Sequence, residues 1–265
     1  MIASIWNNRG TALRLAKNDI RNKFAGSYLG IVWAFIQPIV TVLVYWLIFE
    51  VGFKSGDSTG YPFVLYLVSG IVPWFFLSDA LSSGTNSLIE YSYLVKKVVF
   101  NIDILPLVKI ISAFFVHIFF IVLSIVIHIC YGYFPSIHIL QIPYYIICNI
   151  VLLLGLIHLT SAITAFFKDM FQFVNIFVLQ LGIWLTPIMW NAADRLKDHP
   201  VLLKVFKLNP VYYIVDGFRD SLLFRRWVWE GKGLWTLYFW AVTLLILFLG
   251  MRVFKKLKIH FADVL

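Results

Sequence analysis

The feature that most constrains this chain is the recurrence of apolar runs about twenty residues long, the length a helix needs to cross the hydrocarbon core of a bilayer. The clearest is Ile110 to Ile129, which holds no Asp, Glu, Lys or Arg and is dominated by Ile, Phe and Val. Only 13% of the residues are charged and 61% are hydrophobic, against about 25% charged in soluble domains. A water-soluble fold cannot hide that much apolar surface, so most of the chain must meet lipid. Its 265 residues then leave no room for a large soluble domain.

Apolar runs bounded by charged or turn-forming residues predict an all-α integral membrane protein with six transmembrane helices, at about 29–51, 61–81, 104–129, 139–167, 171–190 and 234–253. Pro106 opens the third, where its missing N–H would be unpaired in any case. Only Lys168, Asp169 and Met170 separate the fourth and fifth. Such a tight polar turn implies antiparallel neighbours. Before the first span, residues 8–24 place Leu13, Ala16, Ile20 and Phe24 at helical spacing beside Arg14, Lys17 and Arg21. That is the pattern of an amphipathic interface helix on an anionic leaflet; a solvated charged lead-in is the plainer reading. The polar segment 82–103 cannot lie in lipid and holds a short helix. Residues 191–233 carry eight Lys/Arg and five Asp/Glu among apolar pieces too short to span, which predicts short re-entrant helices dipping in from one side.

An even number of spans puts both termini on one side, and their basic flanks favour the cytoplasm. On that orientation the inner segments hold twelve Lys/Arg and the outer segments nine. The basic loop 191–233 therefore strains the positive-inside rule. The first residues lack the apolar core of a cleavable signal, so the amino terminus is expected to be retained. Cys130 and Cys148 sit in apolar stretches and read as packing residues, with no disulfide or zinc spacing.

Five motifs in order carry a family resemblance. They are Lys17 to Pro38, with Gly26, Gly30, Trp33 and Gln37; Gly70-Ile-Val-Pro73-Trp74-Phe-Phe; Leu94-Val-Lys96-Lys97 through Pro106-Leu107; Leu185-Thr186-Pro187-Ile-Met-Trp190; and Leu208-Asn209-Pro210 through Arg219-Asp220. Together they resemble the ABC-2 type transporter permeases that export bacterial surface polysaccharides, the O-antigen and capsule exporters and their teichoic-acid relatives. The resemblance implies a homodimer in the cell inner membrane, paired with two separate ATP-binding ABC subunits that hold the ATP and Mg. It also implies a polyprenyl-pyrophosphate-linked polysaccharide as cargo and an outer position for the re-entrant loop. Membrane lipids are expected partners; nucleic acid is not.

The chain itself lacks a Gly-x-x-x-x-Gly-Lys-Ser/Thr run, so it has no such device for cradling nucleotide phosphates. No catalytic, cofactor or metal residues are expected in it. Coupling to the ATPase is assigned to residues 87–97, with Leu88, Ile89, Tyr91 and Leu94 filling a groove and Glu90, Lys96 and Lys97 at its rim. Aromatic side chains suit a path for a sliding sugar chain. Tyr45, Trp46, Phe49, Tyr61, Phe63 and Tyr66 are candidates, with Trp74, Phe75, Trp184 and Trp190; aromatic belts facing headgroups look the same in sequence. Arg14, Arg21 and Lys23 stand at the level of the lipid pyrophosphate, though anionic lipid explains them equally.

Ionisable groups within spans are functional suspects. Asp79, Lys109, His117, His128 and His158 qualify. His117 and His128 share a helix face, which suggests a proton relay. The plainer reading is a snorkelling Lys109 and neutral, hydrogen-bonded histidines. Gly26 and Gly30 form a small-x-x-x-small pair of the kind that brings helices close. Two rival functions stay open: a proton-coupled secondary transporter, which would show two similar halves, and a membrane-embedded glycosyl or acyl transferase.

Overall fold

The computed structural model describes residues 8–23, 26–52, 60–96 and 101–265, and among them it contains helices and no strands. After α1 (Arg9–Lys23) come the long apolar helices α2 (Gly30–Gly52), α3 (Phe63–Thr85), α4 (Ile102–Cys130) and α5 (Ile137–Phe166). A shorter apolar helix, α6 (Asp169–Leu185), follows. Two short helices, α7 (Pro200–Lys207) and α8 (Pro210–Arg219), precede the last long one, α9 (Gly233–Val264). Among the described residues five helices are thus long and apolar enough to cross a membrane. The 17 residues of α6 rise only about 25 Å at 1.5 Å each.

Bonds between distant segments define two ends of the bundle. At one, the terminal end, Lys258 near the carboxyl terminus pairs with Asp103 at the start of α4 (2.6 Å), and Asp19 of α1 meets Lys109 nearly two turns further along. At the other, the far end, the Gln141 amide donates to the Arg226 carbonyl and accepts from the Val228 N–H. The helix α6 runs alongside α3. Asn175 accepts from Ser82 near the terminal end, Gly182 lies against the Trp74 ring, and the Trp190 carbonyl accepts from the Tyr66 hydroxyl near the far end.

The most buried of the long helices is α3, while α2 has no buried residue and lies at the periphery. Close helix approach is made by Gly155 of α5 and Gly250 of α9. A Cβ on Gly155 would lie 2.7 Å from the Leu247 backbone, and one on Gly250 would strike the Gly155 carbonyl. In lipid, where apolar burial does not drive helices together, such small residues permit the close packing that does. The pair expected for this role, Gly26 and Gly30, does something else. Both have positive φ (83° and 52°) with open space where a Cβ would stand, so they shape the turn from α1 into α2.

The apolar face expected on α1 is also rotated. Ala12, Ala16 and Asp19 are buried, against Ile104 and Val108 of α4, while Leu13 is half exposed. Phe24 lies outside the described residues.

Candidate functional site

Three of the motif segments meet at the far end around Arg219. Asn209 caps α8 by accepting from the Val211 N–H (3.0 Å), and its amide donates to the Thr186 hydroxyl (2.8 Å). Pro210 supplies the fixed φ that suits a first helical turn. The helix so anchored ends in Arg219, which is buried at 3% exposure. The guanidinium donates to the Pro187 and Ile188 carbonyls (2.9 and 2.6 Å) and lies 3.7 Å from the centroid of the Tyr66 ring. A buried cation is tolerated only when its donors are met. Here backbone oxygens left exposed by the Thr186-Pro187 break meet them.

At the terminal end, Lys109 of α4 is the hub of a second buried cluster. Its Nζ lies 2.6 Å from Asp19 of α1 and 2.8 Å from Glu90, and its side chain is 4% exposed. The Tyr91 hydroxyl donates to the same Asp19 oxygen (2.5 Å), and the Ser112 hydroxyl donates to the Ala16 carbonyl. Burial, then the bond to Asp19, holds the Tyr91 hydroxyl above the ordinary phenol range, so it stays a donor. Lys109 therefore does not snorkel. It is sealed in by Asp19 of α1, by Glu90 of the short turn Ser87–Glu90 and by the Tyr91 ring that follows it.

Beside this cluster, between α1, α2, α3 and α4, lies a cavity of about 330 Å³. Trp33, Gln37, Trp74, Phe75, Asp79 and His117 are among its lining residues. Lys23 also lines it and pairs with Asp79 at 2.5 Å, both side chains being partly exposed. His117 is buried and stacks on Phe76 (4.6 Å, 11°), and among the described residues neither of its ring nitrogens has a hydrogen-bond partner. Broad aromatic faces beside hydroxyl, amide and carboxylate groups suit a polyhydroxylated ligand, whose C–H faces and hydroxyls need both.

The ABC-2 type transporter family matches residues 12–223, most of the chain and all three of these features. The chain belongs to the ABC-2 type transporter family. It is similar along nearly its whole length to the O-antigen export system permease protein RfbA of Myxococcus xanthus, at 22% identity over 99% of this chain and 98% of the relative. Two proteins of the same description from Klebsiella pneumoniae are 24% and 25% identical, each over 95% of this chain and 93% of the relative. As a member of that family the chain is a multi-pass membrane transport subunit.

In this ABC-2 transporter chain the residues assigned to ATPase coupling divide in two. Leu88 and Tyr91 are buried in the chain's own core with Phe254 and Phe261, and Leu94 packs against them. They cannot fill a partner's groove while so placed; a four-residue turn does not reveal in sequence which side faces in. Glu90, Tyr93 and Lys96 are the exposed ones, with Ile89 half buried, and Lys97 lies outside the described residues. Tyr93 was not singled out from sequence, although its neighbours were.

The aromatic candidates do not form one file. Trp74 and Phe75 line the terminal-end cavity. At the far end Phe49 stacks on Phe63 (5.6 Å), and Tyr61 meets Tyr133 and Phe224. Tyr45 and Trp46 are half buried on α2, Trp190 meets Phe206 edge-on, and Trp184 is exposed. Arg14 and Arg21 are exposed along α1, while Lys23 is held by Asp79.

The histidines do not make a relay. His128 bonds the Ser69 hydroxyl and the Ser124 carbonyl, His158 bonds the Leu154 carbonyl, and His117 bonds no group among the described residues. His117 thus departs from the hydrogen-bonded reading that fits the other two. Asp19 was missed. A lone Asp in a basic amphipathic stretch looks like a solvated charge, and only the tertiary fold reveals its partner.

Proposed function

We propose that this chain is the permease of an ATP-driven exporter that moves a lipid-linked O-antigen-type polysaccharide across the cell inner membrane. The observation that carries the proposal is the near-full-length likeness to three O-antigen export permeases. The permease works as a homodimer with two ATP-binding subunits, which supply ATP and Mg. It crosses the membrane six times with both termini in the cytoplasm. The path of α6 beside α3, from Ser82 to Tyr66, supports the sixth crossing. So does the connection it must make from Phe166 at the terminal end to Lys232 at the far end. The segment 191–233 then lies outside, with α7 and α8 as its re-entrant helices.

In this reading the ATP-binding subunits engage the exposed side of residues 87–96, through Glu90, Tyr93 and Lys96. A displacement there reaches Lys109 directly, because Glu90 shares that ammonium with Asp19. The rigid pair hands the movement to α1 and α4 together, and these are two walls of the cavity holding Trp33 and Trp74. The lipid pyrophosphate rests on the cationic face of α1 at Arg14 and Arg21, with sugars nearest it in the cavity. The exposed apolar faces of α2 and α6, such as Leu43, Leu47, Phe177 and Trp184, suit lipid or the second copy. The unlinked histidines do not favour proton coupling.

The test is deletion of this protein in its host. Finished lipid-linked glycan should accumulate in the cytoplasmic leaflet and disappear from the surface. Normal surface glycan after deletion would overturn the function.

A further inference from the structure

A second cavity, of about 540 Å³, opens at the far end between the start of α3, the helix α8 and the start of α9. Its volume is typical of small-molecule sites, roughly 300–1,000 Å³. Its walls are built in two layers. Trp235, Tyr238 and Tyr212 offer broad aromatic surface, and Asp216, Glu230 and Lys207 offer charged hydrogen-bonding groups among them.

The charged groups are held in place. Lys232 lies between Asp216 (2.6 Å) and Asp220, with only 14% of its side chain exposed. Burial alone would lower Lys232, but the two carboxylates hold it above its ordinary value, so it stays a cation. The Lys207 ammonium lies 5.6 Å from the centroid of the Trp235 ring. Glu230 accepts from the Trp227 N–H, and the Tyr238 hydroxyl donates to the Leu208 carbonyl. In the lining, Lys207, Arg226 and Lys232 alternate with Asp216 and Glu230, and Asp220 backs Lys232, so groups of both signs are tied to one another. Tyr212 faces this cavity with a hydroxyl that makes no hydrogen bond among the described residues. Burial, then Asp216, keeps that hydroxyl above the phenol range and therefore a donor.

Aromatic faces set among paired charges of both signs are matched by a ligand with apolar C–H faces and several neutral hydroxyls. We infer that this far-end cavity is a saccharide-binding subsite for neutral sugar units of the exported glycan, with Trp235 as the stacking platform and Tyr212 and Asp216 as hydroxyl partners. The assignment to the exported glycan rests on the exporter reading; the saccharide chemistry of the cavity does not. The two cavities meet α3 at different levels, this one at Tyr66 and the other from Trp74 to Ser83. The far-end cavity holds the chain after crossing and opposes its return.

The probe is mannotriose, a neutral oligosaccharide, added to the full-length protein in nanodiscs and followed by saturation-transfer NMR, with trigalacturonate as the anionic comparison. Mannotriose should bind the unmodified protein. Tyr212→Phe and Trp235→Leu should each weaken it by roughly tenfold, as the loss of one good polar or aromatic contact would. Phe248→Leu, on the exposed face of α9, should bind normally. Tyr212→Phe removes a single oxygen and keeps the test decisive if Trp235→Leu fails to fold. Absence of mannotriose binding, or tighter binding of trigalacturonate, overturns the subsite. Binding that depends on Tyr212 and Trp235, in strains whose surface glycan is unaffected by either change, overturns the link to the exported glycan. Failure of the exporter reading shows separately, as normal surface glycan when the whole gene is deleted.

Discussion

The guanidinium of Arg219 occupies the space a side chain on Gly70 would fill: a Cβ built there lies 2.6 Å from Nη2. These residues are 149 positions apart in the sequence, and each explains the other. Without a side chain at Gly70, α3 accepts an arginine against its backbone and against the Tyr66 ring. With Arg219 in place, the carbonyls of Pro187 and Ile188 have donors. The end of α6, α8 and the start of α3 are thereby fastened at one point.

Gly70→Ala should therefore act through Arg219. The new methyl forces the guanidinium off the Pro187 and Ile188 carbonyls, leaving buried polar groups unpaired at about 1–3 kcal/mol each. Arg219→Lys should lose as much, because an ammonium cannot reproduce the planar fork. Thermal unfolding of the detergent-solubilised protein should drop for both variants. The double variant should fall less than the sum of the two single losses; strict additivity would mean the residues are not coupled.

The helix pair α5 and α9 offers a simpler test. Gly155→Val places two methyl groups against the Leu247 backbone, where even a Cβ has no room. Overpacking of this kind costs about 1–3 kcal/mol or more when backbone must move. The variant should express poorly and melt early, whereas Gly26→Asn, in open space at a positive φ, should be nearly neutral. A neutral Gly155→Val would mean that α5 and α9 stand further apart.

These contrasts mark what sequence can and cannot reveal. The long helices are legible because charge is expensive in lipid, so their ends are written in Lys, Arg, Asp and Glu. Even so α6 falls short of a plain span, because Thr186-Pro187 breaks it and a π-helical stretch, Val174–Gln180, shortens its rise. The motif residues Gly70, Pro187, Asn209 and Arg219 are visible in sequence; that they touch is not. Gly26 and Gly30 carry the right spacing for helix packing and lack the helix to use it. Gly155 and Gly250 do the packing from two spans, with no local pattern to announce them.

The far end should respond to pH. Burial, then Asp216, push the Asp220 carboxyl up to about 6, against the pull of Lys232. A carboxyl raised in the fold above its usual value of about 3.9 binds protons more tightly folded than unfolded. Its contribution to stability is present in acid and is lost as pH rises through about 6. The melting temperature should rise between pH 7 and pH 5, and Asp220→Asn should remove most of that rise. An unchanged slope in Asp220→Asn would assign the effect to other groups.

The Lys109 cluster separates stability from coupling. Removing one member of a buried ion pair strands the other, at about 3–5 kcal/mol, so Lys109→Met should be severely destabilised with Asp19 left to the Tyr91 hydroxyl alone. Adding Asp19→Asn neutralises the stranded carboxylate, and buried pairs replaced on both sides are often as stable as the original. The double variant should recover most of the melting temperature. It should not recover export, because Glu90 no longer has an ammonium to pull on, and the turns at 87–95 then move without α1 and α4. Glu90→Gln removes a half-exposed partner, so it should cost little stability while lowering export at unchanged ATP hydrolysis. Measuring melting, ATP hydrolysis and surface glycan together on the three variants decides the matter. A double variant that regains both stability and export would make the Lys109 cluster a structural brace alone.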